Sequence, residues 1–181
     1  MSHDVAFDLL VISRHAAPPA AAEVTRALAA SGLGVANYTP ATTPATSSAE
    51  KVERMRVGTH VVTLPGDCGG VRIVTWQYIQ AVTEGMGDAT FAALTRAADA
   101  DTIHVLRTGT VSCNLRVSAR EDAVVEALTW AQAAVGALLE LTRGVVLDLG
   151  AQRCYGQAEA ERMATDDPLV HIAFHDEPWE V

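Results

Sequence analysis

Apolar and polar positions alternate along this chain with two different periods, and the clearest switch between them falls between Ser118 and Gly150. From Val124 onward, Leu128, Ala131, Val135 and Leu138 recur at steps of four and three, while Asp122, Glu126, Thr129, Glu140 and Arg143 take the opposite side. Such spacing predicts a helix with one buried and one wet face. Ser118 and Glu121 have the spacing of a capping box, which places the helix start near Ala119. Arg143 in the last turn and Gly144 just beyond it predict the stop, the glycine supplying a left-handed residue. Ala123, Ala127, Ala134 and Ala137 widen the apolar arc with small side chains, so a second layer can approach closely, with Trp130 the bulky exception. Val145 to Leu149 then reads as a strand, Gly150-Ala151-Gln152 as a tight turn, and Arg153 to Tyr155 as the return strand.

Upstream, Val5 to Ser13 is an apolar, β-branched run and predicts an internal strand. Pro18 and Pro19 suit the approach to a helix in which Val24 and Leu28 lie one turn apart, and Gly32 ends it. Strands are expected at about Val35 to Thr39, Arg56 to Leu64 and Val71 to Thr75. The stretch from Pro40 to Ala49 is almost wholly Thr, Ser, Pro and Ala, and predicts a mobile surface loop at about 40–49. Trp76, Ile79, Val82 and Met86 have near-helical spacing, and Asp88 suits the cap of a further helix carrying Phe91 and Leu94. Ile103 to Arg107 and Val111 to Val117 flank Thr108-Gly109-Thr110 and predict a hairpin. In its second arm Val111, Cys113, Leu115 and Val117 alternate with Ser112, Asn114, Arg116 and Ser118. Gln157 to Ala164 suits a short helix and Pro168 to His175 a last strand. Together these elements predict one α+β domain over residues 1–181, with a mainly antiparallel sheet and helices packed on one face.

Composition narrows the function more than it defines it. At 181 residues the chain can bury a substantial core. A formal charge of −9 and a single lysine, Lys51, argue against a nucleic-acid partner, which needs many phosphate contacts. Met-Ser-His-Asp has neither the basic flank nor the apolar run of a secretory signal, and Glu126 and Glu140 interrupt the long helix as a membrane span, so no membrane partner is expected and the cytoplasm is the expected location. Cys68, Cys113 and Cys154 are odd in number and far apart, which predicts reduced thiols and no zinc site.

The Ala- and Leu-rich helix from Ala127, followed by Leu141-Thr142-Arg143-Gly144-Val145-Val146-Leu147-Asp148, resembles bacterial domains of unknown function in which such a helix precedes a Gly-Val-Val-x-Asp strand and a hairpin. The resemblance covers the C-terminal third, extending through Val170 to His175, and brings no agreed reaction with it.

The most chemical of the short motifs is Gly66-Asp67-Cys68-Gly69-Gly70, which is similar to the nucleophile loop of chymotrypsin-like cysteine proteases from viruses. Only 67 residues precede Cys68, too few for the barrel and a half that such a fold places before its nucleophile, so that family is rejected. What remains is a glycine-rich turn with a thiol, for which His60 or His15 would be the base and the Gly69 and Gly70 amides the oxyanion donors. His171 and His175 would share a metal on a helix, but their alternation with Val170, Ile172 and Phe174 predicts a strand, where they stand about 13 Å apart at ~3.3 Å per residue. With His104 on a neighbouring strand they would line a shallow pocket. Asp148 and Arg153 flank the last hairpin turn, either as a charged pair for a partner or as turn and surface residues. The sequence therefore supports a non-catalytic interaction or regulatory domain, with no cofactor and no metal, whose partner is a protein or a small molecule. The alternative is a small cysteine-dependent hydrolase or transferase using Cys68.

Overall fold

The computed structural model describes residues 4–41, 56–63, 71–79, 86–148 and 152–160. Among these residues seven strands form one antiparallel sheet in the order β2-β3-β4-β5-β1-β6-β7. They are β1 (Asp4–Ser13), β2 (Gly34–Pro40), β3 (Arg56–Thr63), β4 (Val71–Tyr78), β5 (Val111–Arg120), β6 (Val145–Asp148) and β7 (Arg153–Tyr155). With helices α1 (Ala21–Ala30), α2 (Asp88–Leu94), α3 (Ala100–Thr108) and α4 (Val124–Thr142), the fold is α+β, as the patterning predicts.

β1 holds the centre. It pairs with β5 from Asp4↔Arg120 to Ser13↔Val111 on one side, and with β6 from Leu10↔Leu147 to Ile12↔Val145 on the other. From Leu9 to Ser13 its side chains enter the core on both faces, which explains why this part reads as a continuous apolar run and not as an alternation. Leu9 and Val11 join Cys113, Leu115, Val117 and Val146 under α1 and α4, through Val24, Leu28, Ala127, Ala131, Val135 and Leu138. Ile12 faces the opposite way, with Val145 and Leu147, into a second cluster made by Leu94 of α2 and Val105 and Leu106 of α3. To the helical layer that the sequence predicts on one face, the structure thus adds two short helices on the other.

Four local expectations are corrected. Residues 103–107 are helical, not the first arm of a hairpin. Asp99 caps α3 by accepting the Thr102 N–H at 2.7 Å, and Thr102, Val105 and Leu106 are its buried side. Trp76 belongs to β4, opposite Cys113, and is buried in the cluster that α1 and α4 cover, while residues 80–85 of the helix expected after it lie outside the described residues. The long helix starts at Val124, after a short 3₁₀ turn, and not near Ala119, because β5 continues to Arg120 to match the full length of β1. Ser118 is therefore a strand residue opposite Ala6. At the other end of α4, the left-handed residue is Arg143 (φ 51°, ψ 29°) and not Gly144.

Gly144 serves a different need. A Cβ there would overlap the carbonyl oxygen of Ile12 and come within 2.9 Å of Thr142 Oγ1, so only glycine lets the chain leave α4 and lie directly on β1. The Thr142 hydroxyl donates to Leu138 O at 2.7 Å and accepts the Gly144 N–H at 3.2 Å, which fills the backbone positions freed at the helix end.

The helical run 121–142 is, by length and composition, long and apolar enough to cross a membrane, a correction to the reading that its two glutamates exclude this. Here 44% of that window is buried inside the protein, and the apolar residues of α4 form the floor of the core. The mobile loop expected at 40–49 lies, from residue 42, outside the described residues, as does the strand expected at 168–175.

Two glycines of the same helix region should respond oppositely to alanine. Gly144→Ala is expected to lose about 3 kcal/mol or more, since the backbone of β1 has to move to admit the methyl group. Gly136→Ala, at a helical position where an added Cβ meets nothing within 4 Å, should gain about 0.5–1 kcal/mol. Urea unfolding of both variants measures this, and equal losses would show that the contact with Ile12 is not tight.

Candidate functional site

Where β1 ends, β6 begins and β7 ends, the chain builds an open cleft of about 610 Å³. Its walls are the C-terminus of α4 (Arg143, Gly144), the residue that follows β1 (Arg14), the start of α3 (Asp99, Asp101, Thr102) and the segment after β7 (Gly156 to Glu159). Cys154 and Tyr155 also line it.

Arg14 organises this end of the molecule. Its backbone N–H donates to Thr142 O at 3.2 Å, its Nε donates to Arg143 O at 3.1 Å, and its guanidinium also reaches the carboxylate of Asp101. Two carbonyls at the α4 terminus thereby gain donors, one of them cationic, where the helix dipole is negative. Asp101 lies in the first turn of α3, where a carboxylate suits the positive helix end, so one arginine ties the close of α4 to the opening of α3. With side chains 43% and 67% exposed, the ion pair itself contributes little, and the backbone donations matter more.

Asp99 and Glu159, also at the cleft, are engaged as well. The backbone and hydroxyl donors of Thr102, with the Asp101 N–H, hold the Asp99 carboxyl below its usual range. Arg153 donates to Glu159 at 2.8 Å. Below them the Cys154 thiol donates to Leu94 O at 3.2 Å. Burial, reinforced by the negative charges of Glu159 and Asp99, pushes this thiol up to about 11, so it stays protonated at neutral pH. The Tyr155 hydroxyl is pushed well above its normal value, first by burial and then by the charge of Asp148. The cleft therefore presents fixed charges at its rim and neutral groups at its floor.

Few of the residues singled out in the sequence meet here. His15 is exposed on the segment after β1, beside Arg14, and its backbone N–H donates to Ser13 Oγ at 3.0 Å. His60 is wholly buried on β3, with Nε2 3.3 Å from Ala21 O. His104 is exposed on α3, a helix and not the strand expected for it. Asp148 is buried and stands opposite Arg153 in the β6–β7 register, while the Arg153 guanidinium serves Glu159. Cys68, His171 and His175 lie outside the described residues. Of the other thiols, Cys113 is sealed between Val11 and Trp76, and burial drives it far above the normal thiol range. Among the described residues no group of three His, Cys, Asp or Glu side chains is placed to hold a metal ion. Sequence reasoning missed Arg14 and Asp101. The available signal was positional: a charged residue directly after an internal strand, and an Asp-x-Asp-Thr helix start.

Comparison with protein-family models, with curated proteins and with solved structures returns no match for this chain.

Two measurements test the geometry of the cleft. Arg14→Ala should cost about 1–2 kcal/mol in urea unfolding, because the charge-assisted bond from its Nε to Arg143 O is lost, whereas Asp101→Asn, which loses only an exposed pair, should cost under about 0.5 kcal/mol. Equal effects would mean that the ion pair, not the helix cap, is the structural element. In the folded protein, Cys154 should alkylate much more slowly at pH 8 than a free thiol and should accelerate as the pH approaches 11.

Proposed function

We propose that this protein is a non-catalytic interaction or regulatory domain, and that the cleft at the end of β1 is where it meets a protein segment or a small molecule. The observation that carries this reading is the state of the charged groups there: Arg14, Asp99 and Glu159 are each held by framework partners, so the rim keeps its shape and charge before anything binds. Such preorganisation suits recognition, because little side-chain entropy is lost on contact. The volume is that of an ordinary small-molecule pocket, for which about 300–1,000 Å³ is typical. The thiol at the floor is protonated at neutral pH, which suits packing and hydrogen bonding better than nucleophilic attack. A rim of mixed sign on a chain of charge −9 favours polar ligands that carry both charges over a nucleic-acid backbone.

Nuclear magnetic resonance on the isotopically labelled full chain tests the reading with defined probes: acetate, methylammonium, glycine and short peptides carrying both charges. At least one probe carrying both charges is expected to shift the amides of residues 97–102, 143–145 and 154–159 together and to saturate. The reading is contradicted if no probe perturbs these residues. It is contradicted equally if Cys68 alkylates far faster than an unperturbed thiol near neutrality and a nitrophenyl ester gives a stoichiometric burst, the behaviour of a cysteine-dependent enzyme.

A further inference from the structure

The helix α1 is fastened to the sheet by a titratable group. His60 and Val62 point to the face of β3 that α1 covers, where Val62 packs in the same cluster as Val24 and Leu28. The His60 imidazole is fully buried, and its Nε2 lies 3.3 Å from the carbonyl of Ala21, the first residue of the helix. A carbonyl only accepts, so Nε2 carries the proton and the neutral ring leaves Nδ1 bare. That Nδ1 is buried and has no hydrogen-bond partner among the described residues.

The surroundings do not suit a second proton. Trp76 on β4 stands opposite Gly58, two residues before His60, so indole and imidazole are diagonal neighbours on one face. The Trp76 Nε1–H is itself buried and has no acceptor among the described residues. A proton on Nδ1 would therefore add a second orphan donor beside the first. From β2, the Tyr38 ring packs on the imidazole at 4.7 Å between centroids, tilted by 43°. From α1, the first-turn carboxylate of Glu23 accepts the Ala20 N–H at 3.0 Å, and Arg26 is exposed. Burial pushes the imidazole pKa down, and the bond to Ala21 opposes this only in part. Among the described residues no charged group contributes to that shift.

We propose that His60 is an acid-sensitive latch for α1: neutral, it fastens the first turn of the helix to β3, and proton uptake releases that turn from the sheet. The released imidazole meets water and titrates at its ordinary value near 6.5, while the latched one resists protonation. Because the latched pKa lies below the released one, the closed form has its full advantage above pH 6.5 and loses it as the pH falls below that value. The proposal needs only β2, β3, β4 and α1, and stands whether or not the cleft binds anything.

Amide hydrogen exchange on the full chain at pH 7.5 and pH 5, corrected for intrinsic rates, reads the latch. Protection of the α1 amides should fall by up to about thirtyfold, the tenfold-per-unit limit below pH 6.5, while the β1 and β5 amides lose far less. His60→Gln keeps an amide donor and cannot titrate, so its α1 protection should not respond to pH. Should that variant fail to fold, proton resonance of the His60 ring in the unmodified protein decides: titration below 6.5 in step with the loss of α1 protection supports the latch. Titration at or above 6.5, or α1 protection that falls no further than that of β5, overturns it.

Discussion

The close approach of Gly144 to the backbone of Ile12 is the constraint on which the rest of this structure depends. β1 runs between two helical layers, and α4 is the longest helix on one side of it. For the chain to close α4 and enter β6 beside β1, it must pass over the end of β1 at a distance no side chain allows. Glycine meets that demand, and Arg143 absorbs the reversal of direction in the left-handed region. The burial of Val145, Val146 and Leu147, and with it the second core cluster, follows from that placement.

A cleft at this junction is a natural outcome of the geometry. Helix ends leave backbone groups that the helix itself cannot satisfy, and two such ends, from α4 and α3, converge where β1 stops. Arg14 serves both, as a donor to the carbonyl end of one and as the partner of a carboxylate in the first turn of the other. The charged rim is thus a structural device that joins two helix ends.

How much of this the sequence disclosed depends on how local the determinants are. α1 was legible because Val24 and Leu28 lie one turn apart, and β5 because Val111, Cys113, Leu115 and Val117 alternate. The β6–β7 hairpin was legible from its turn. Ala100–Thr108 was misread because Ile103 and Val105 mimic a strand over a short window, while the Asp99 cap that decides the matter is a single side chain. The start of α4 was misplaced for a longer-range reason: pairing with β1 over its full length draws Ser118 to Arg120 into the sheet and overrides a local capping pattern. The cleft escaped sequence reading altogether. Arg14 and Arg143 are 129 positions apart, and no periodicity links them. By sequence His60 reads as a base for a thiol, but its register under α1 makes it a core group, which only the pairing of β2, β3 and β4 discloses.

If the closure of α4 on β1 carries the architecture, the two should open as one unit. Native-state hydrogen exchange in increasing denaturant measures that directly at the Arg14 amide, bonded to Thr142 O, and at the Arg143 amide, bonded to Leu139 O. The account predicts that both exchange only through global unfolding, converging with the amides of Val11 and Cys113 at the centre of the sheet. Exchange of Arg14 and Arg143 through a low-energy local opening, with β1 and β5 still protected, would contradict it.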